Sequence, residues 1–349
     1  MQIGFFDIND KYKKLSKLGD PLVEIAKIVD FSMFEDIYHI AYPKRDKPTK
    51  KNPRNAGRKP IKPGIIIKIV FLKKLFNLSN EQAEFQITDR HSFQRFVGID
   101  ANASAPDFTT IWKHENTLSE LGLVDRMFER FDTFLAQQGF QANGGAIIDA
   151  TIVEVPKQRN TRDENQRIKS GKTPKAFKKN PHQLSQKDID ARWTKKNFIN
   201  YYGYKDHILI DDKYKLIRSY DVTTANVHDS RPAVGLIKNA EINCLWADSA
   251  YQSPDITKVL KNDSITGCIC EKGYKNKPLT EKQIADNHMK SKIRCRVEHV
   301  FGFMENSMSS IFIRTIGITR ARYQIGLMNL VYNICRFVQL TRIRRCTAG

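Results

Sequence analysis

The sequence predicts a mixed α/β domain, a sheet covered by helices, preceded by an all-α N-terminal domain. Three observations predict it. Over the first 140 residues apolar side chains recur at helical spacing; at Gly144 the period changes to strand-like alternation; beyond it short β-branched runs alternate with helical segments. The boundaries expected are 1–140 for the helical domain and 141–349 for the α/β domain, with a basic insertion at about 157–200.

In the N-terminal part Leu22, Ala26 and Val29 form one stripe, and Ile65, Ile69, Leu72 and Phe76 form a longer one. The second stripe ends at Asn77-Leu78, and the next helix opens with Ser79 and Gln82 in capping-box spacing. A helix, a tight turn and a second helix thus follow the basic stretch Lys44–Lys62, which suits a helix-turn-helix unit on DNA. An αα-hairpin packed inside a helical domain fits the same pattern. Ile111 to Leu118, then Val124, Met127, Phe128, Phe131 and Leu135, supply further helical faces.

Past Gly144, Gly145–Val155 reads as a strand, and Lys205–Ile210 and Lys215–Val222 read as a hairpin around Asp211-Asp212-Lys213. A helix over Ser230–Ala240, a strand over Ile242–Ala247, a helix from Ser253-Pro254 to about Leu260 and a strand over Ile265–Ile269 follow, giving five strands. Ile293, Val297, Val300 and Met304 line one regular helix, Lys290–Asn306, and a last helix runs from about Arg320 to Leu340. The segment from Lys157 to Asn200 holds few apolar residues beyond Ile168, Phe177, Leu184 and Trp193, so a mobile loop is expected there.

Charge narrows the partner. The chain has 58 Lys+Arg against 38 Asp+Glu, a formal net charge of +20, clustered in Lys44–Lys62 and Lys157–Lys196. Clustering of that kind favours a polyanion, nucleic acid before a membrane surface, because no long amphipathic Lys/Trp helix is present. The most apolar stretch, Gly64–Phe76, is broken by Lys68, Lys73 and Lys74 and falls short of the ~20 residues of a membrane span. Met1–Asp10 lacks the basic region and apolar run of a secretion signal. The six cysteines show no disulfide framework, as in a reduced cytosol. Cys268, Cys270, Cys295 and His299 lack the paired spacing of a zinc site and read as packing residues.

Two carboxylates stand out from context. Asp149 lies inside Ala146-Ile147-Ile148-Asp149-Ala150-Thr151-Ile152-Val153, where a carboxylate is costly to bury unless paired, protonated or metal-bound. Alternation puts it on the face of Ile147 and Thr151. Asp248 follows Leu245-Trp246-Ala247, at the carboxyl end of a short buried strand, where α/β sheets commonly bind ligands. An exposed-face aspartate and a turn cap are the plainer readings of the two. Glu298, one helical turn from Arg294, reads by itself as half of a surface ion pair.

Resemblance selects the glutamate. Gly57-Arg58-Lys59-Pro60, Asn77-Leu78-Ser79, Asp89-Arg90 through Phe96, Pro106-Asp107-Phe108-Thr109-Thr110, Ile148-Asp149-Ala150-Thr151, Asp190 through Lys196, Tyr202-Gly203-Tyr204-Lys205, Ala225 through Ser230, Ala247-Asp248-Ser249-Ala250-Tyr251 and Arg294 through Glu298 occur in this order. Nearly the whole chain is thereby similar to DDE transposases of bacterial insertion sequences, the insertion-sequence-five group. The resemblance implies a ribonuclease-H-like catalytic domain with Asp149, Asp248 and Glu298 as catalytic and metal-holding residues. At the Tyr and Lys positions that flank the family's Arg and Glu, this chain has Ser291 and Glu305.

What the resemblance implies further is a pair of Mg²⁺ ions, with Mn²⁺ able to substitute, acting on phosphodiesters. Double-stranded DNA is then the partner, as terminal inverted repeats and as target, met by a homo-oligomer in the bacterial cytosol at the nucleoid and not at a membrane. Arg58, Lys59, Arg192, Trp193, Lys195, Lys196, Lys205 and Arg294 are the candidate DNA contacts, with His207 and His228 as further candidates on the hairpin. Two alternatives stay open: another ribonuclease-H-like endonuclease, and a non-catalytic DNA-binding protein of transposase descent.

Overall fold

The structure, a computed structural model, describes residues 5–43, 60–100, 103–140, 144–238, 240–309 and 311–348. The chain divides into two compact units, Met1–Phe131 with Ile334–Gly349, and Asp132–Asn333.

The first unit is helical: α1 Phe5–Lys17, α2 Pro21–Ile28, α3 Glu35–Ala41, α4 Pro63–Leu75, α5 Asn80–Asp89, α6 His91–Val97, α7 Phe108–Glu120 and the greater part of α8 Leu123–Gln137. Phe31, Phe71 and Phe96 meet edge-on or tilted at its centre, with ring centroids 5.2–5.6 Å apart. Ser79 caps α5 with its hydroxyl on the Gln82 N–H, and Gln82 answers on the Ser79 N–H, as the capping-box spacing predicts. The α4–α5 pair is unsuited to reading a groove. α4 is buried on nearly every side (Ile66, Ile67, Ile69, Val70, Phe71, Leu72, Lys74), and α5 carries Glu81, Glu84 and Asp89 but no basic residue. Such a helix repels phosphate, which favours the αα-hairpin of the two readings.

The second unit is built on a sheet. Its elements are β1 Gly145–Glu154, the short helices α9 Arg162–Lys169, α10 Lys175–Lys179 and α11 Pro181–Ser185, β2 Arg192–Lys196, β3 Ile199–Asp211, β4 Ile217–Thr224, α12 Ser230–Lys238, β5 Cys244–Ala247, α13 Pro254–Asn262, β6 Thr266–Ile269, α14 Glu281–Arg294, α15 Glu298–Gly302 and α16 Ile318–Ala348, whose last part belongs to the first unit. β1 runs antiparallel to β3 and parallel to β5, β5 pairs in parallel with β6, and β4 runs antiparallel to β3. This is the ribonuclease-H-like arrangement, with the five expected strands in place.

A sixth strand, β2, comes from the insertion, and the expectation of a mobile loop there is corrected. Phe177 and Ile168 are buried in it, and Lys187 holds the Arg159 carbonyl and the Asn160 side chain, each at 2.8 Å. Asp188, also buried, accepts both the Tyr204 hydroxyl and the N–H groups of Asp190 and Ala191. A few well-placed apolar residues and one satisfied carboxylate fold a segment that composition marks as open. Gly203 makes the join: β1 pairs with β3 up to it and β2 continues from it, and a Cβ there would overlap the Val153 carbonyl oxygen.

The two faces of the sheet differ. Ala146, Ile148, Leu209, Leu245 and Ala247 pack on Ala233, Leu236 and Ile237 of α12 and on Ile256, Val259 and Leu260 of α13. On the opposite face Asn329 of α16 donates to Asp206 at 3.1 Å, and Asn333 both donates to and accepts from the Ile217 backbone at 2.8 and 2.9 Å. The helix expected over Lys290–Asn306 is irregular. A 3₁₀ turn, Cys295–Val297, separates α14 from α15, and a π-helical turn, Phe303–Ser307, follows, closed by the Met308 N–H on the Phe303 carbonyl at 3.1 Å.

Candidate active site

Asp149 sits in the middle of β1 because alternation leaves Ile148 and Ala146 to the α12 side and turns Asp149 to the other. Ile147 pairs with Trp246 on β5, so two steps further along these parallel strands Asp149 and Asp248 are neighbours. There β5 ends: Asp248 accepts the Ala250 N–H at 2.8 Å and caps the 3₁₀ turn Ser249–Tyr251. Strand termination thus frees a carboxylate beside one that is still inside its strand.

The 3₁₀ turn after α14 delivers the third acid. Glu298 opens α15 with its side chain 62% exposed, while Val297 and Val300 beside it are buried and fix the helix on the sheet. Between Asp149 and Glu298 lies Arg294, whose Nη1 donates to Asp149 Oδ2 at 3.0 Å and stands 3.8 Å from Glu298 Oε1. The surface Arg294–Glu298 pair read from the sequence is therefore secondary to an Arg294–Asp149 pair inside the site.

Burial pushes the Asp149 carboxyl up to about 6. The Ala150 N–H and Arg294 oppose that rise, and the charges of Asp248 and Glu298 add to it. Asp248 and Glu298 therefore both act on Asp149 electrostatically. As drawn they do not close a cage: among the described residues no three His, Cys, Asp or Glu side chains are gathered to hold a metal ion.

Beneath the acids lies Tyr251, 1% exposed, its hydroxyl without a hydrogen-bond partner. Burial holds that hydroxyl well above the ordinary phenol range, and Asp149, Asp229 and Asp248 hold it higher still. Its chain position, one turn after Asp248, is legible in the sequence; its burial among carboxylates is not.

Several expected DNA contacts prove otherwise occupied. Lys205 is nearly buried and donates to the Val227 carbonyl at 2.9 Å and to Asp229 at 2.7 Å. His207 is buried, with Nε2 on the Thr223 hydroxyl at 2.8 Å, and burial pushes it down to about 4, so it is neutral at pH 7. Both lie on β3 between β1 and β4, on the face of the sheet that packs on α12. His228 caps its own turn through Ser230 at 2.8 Å. Arg192 folds onto the carbonyls of Ile189, Asp190 and Ala191 at 2.7–3.1 Å and locks the entry to β2.

Trp193, Lys195 and Lys196 remain exposed on the β2–β3 hairpin, with Trp193 tilted against Tyr202 at 5.0 Å. Arg58 and Lys59 lie outside the described residues. Ser291 is half-buried against Cys270, and Glu305 is exposed in the π-helical turn.

Comparison with known families follows the two halves of the chain. Residues 141–334, which contain all three acids, match a family model described as a transposase DDE domain. Residues 10–117 match one described as a transposase domain. No solved structure matches the chain.

Proposed function

The chain belongs to the transposase DDE-domain family, and from that premise we propose that Asp149, Asp248 and Glu298 carry metal-dependent cleavage and transfer of DNA strands. The observation that supports this best is Asp149 itself, a half-buried carboxylate raised by desolvation and two acidic neighbours, yet already drawing a cation to it.

The donor set fits a hard divalent ion, since all three side chains offer carboxylate oxygens and none offers sulfur. Mg²⁺, with Mn²⁺ as substitute, is the ion proposed. When bound, a pair of such ions activates the attacking oxygen and steadies the leaving oxygen of a phosphodiester. The chain's own part is positioning. β1 fixes Asp149, and the Ala250 N–H orients Asp248 through one oxygen, leaving the other for a ligand. Glu298, exposed at a helix start, is free to swing inward, and Arg294 is free to exchange Asp149 for a phosphate oxygen. Water serves as nucleophile in cleavage and a DNA 3′-hydroxyl in transfer, so no serine or tyrosine ester is needed.

The substrate proposed is double-stranded DNA bearing the element's terminal inverted repeats, joined to target DNA by a homo-oligomer, because two ends must be held together. The bacterial cytosol is the proposed location; among the described residues no helix is long and apolar enough to cross a membrane.

The test is incubation with DNA carrying the inverted repeats that flank the coding region, in Mg²⁺, in Mn²⁺ and in EDTA. Metal-dependent nicks at the repeat tips are expected, lost in Asp149→Ala by at least about a thousandfold while binding persists. Near-normal cleavage by that variant sinks the assignment. Binding without cleavage by the unaltered protein would make it a non-catalytic descendant.

A further inference from the structure

The β2–β3 hairpin ends in a two-residue turn, Asn197-Phe198, since Lys196 pairs directly with Ile199. Both turn residues have positive φ, 49° and 65°, which is the type I′ turn. Asparagine suits its first place. Glycine suits the second, and a phenylalanine there strains its backbone against Cβ. The same ring is 91% exposed, so burial gives nothing back. Lys195 Nζ lies 5.5 Å over it, Lys196 is exposed beside it, Ile199 is 56% exposed, and no acidic residue occurs from Arg192 to Lys205.

We propose that Phe198 is a DNA wedge, inserted at a base step of the duplex while Lys195 and Lys196 hold the phosphates on either side. The proposal rests on the transposase reading above and adds a contact to it. A strained, solvated aromatic is disfavoured twice in the free protein, and stacking between bases would cover both faces of the ring. The occupant follows from charge: the tip is purely cationic on a chain of net charge +20, and bases with their phosphates are the partner that offers stacking and negative charge together.

The position of the step follows from the strand. Asp149 pairs with Ile208, and β3 runs from there to Ile199 at the tip, a span of about 30 Å at ~3.3 Å per residue. Duplex DNA advances about 3.4 Å per base. The opened step should therefore lie within roughly nine bases of the cleaved bond.

The experiment uses the full chain in EDTA with a duplex of the flanking inverted repeat, carrying one 2-aminopurine moved step by step along a strand. Wild type should brighten the probe at one step, within roughly nine bases of the cleavage position. Phe198→Gly and Phe198→Asn should abolish the brightening and weaken binding about tenfold. Their melting temperatures should equal or exceed that of wild type, because both residues relieve the turn. Equal brightening in the variants, or none at any step in wild type, overturns the wedge and leaves the transposase reading standing. A change of oligomeric state in the variants with the DNA signal intact makes the tip a protein contact and overturns it equally. Failure of wild type to bind the duplex overturns both.

Discussion

Arg294 Nη1 is 3.0 Å from Asp149 Oδ2 and 3.8 Å from Glu298 Oε1, so one guanidinium bridges two acids that are distant in sequence. It supplies the positive charge that a half-buried carboxylate among acidic neighbours requires. A divalent ion would supply the same charge and must compete with it.

Competition makes a prediction for Arg294→Ala. In EDTA the variant should be less stable than wild type by about 1–2 kcal/mol, since Asp149 and Glu298 lose their counter-charge. Added Mn²⁺ should then raise its melting temperature more than it raises that of wild type. A smaller metal-induced rise in the variant would mean that Arg294 supports metal binding and does not oppose it.

The raised Asp149 carboxyl gives a pH signature. Its folded pKa of about 6 lies above the unfolded value near 3.8, so the folded state binds more protons between them. Stability linked to Asp149 is complete below about pH 3.8 and is lost as pH rises through about 6. Asp149→Asn should therefore be more stable than wild type above pH 6, by about 3 kcal/mol, with the gap closing toward pH 4. The difference between the two proteins is the quantity to measure in denaturant titrations. His207, pushed down to about 4, loses stability as pH falls through the same window and masks the trend in either protein alone. A gap independent of pH contradicts the assignment.

Tyr251→Phe removes a buried hydroxyl that has no partner. Such a group costs free energy when unsatisfied, so the variant should match or exceed wild-type stability in EDTA by up to about 1 kcal/mol. Loss of more than that in a melting experiment would show that the hydroxyl is bonded in solution.

Gly203→Ala tests the join between β1 and β2. The new methyl group would press on the Val153 carbonyl and the Glu154 Cα, and a loss of about 2–3 kcal/mol is expected. Limited proteolysis should then cut first within 157–200, because β2 depends on that register. Unchanged proteolysis would show that the insert is held by Asp188 and Phe177 alone.

These sites differ in how far the sequence exposes them. Asp149 and Asp248 are legible from strand context, since each is a charge set against a β-branched or apolar run. Glu298 is legible only through resemblance; its partner Asp149 lies on another element, and periodicity carries no tertiary distance. Lys205 and His207 look like surface residues of a hairpin because alternation does not say that β1 takes the other edge of their strand and that α12 packs on it. The insertion looks open because its few, scattered apolar residues do not suggest a core of their own. Asp188 supplies the rest by joining the Tyr204 hydroxyl to the chain entering β2. Turn strain at Phe198 needs φ, which a residue name does not carry.

The π-helical turn Phe303–Ser307 bears on where Glu305 stands relative to Glu298. On a regular α-helix Glu305 would stand two full turns from Glu298, on the same azimuth. The wider turn, closed from Phe303 to Met308, underwinds the helix and carries Glu305 off that line, bringing exposed Asn306 toward it. The acidic side chain of Glu305 is thereby turned away from the azimuth of Glu298, and the neutral amide of Asn306 stands closer to it.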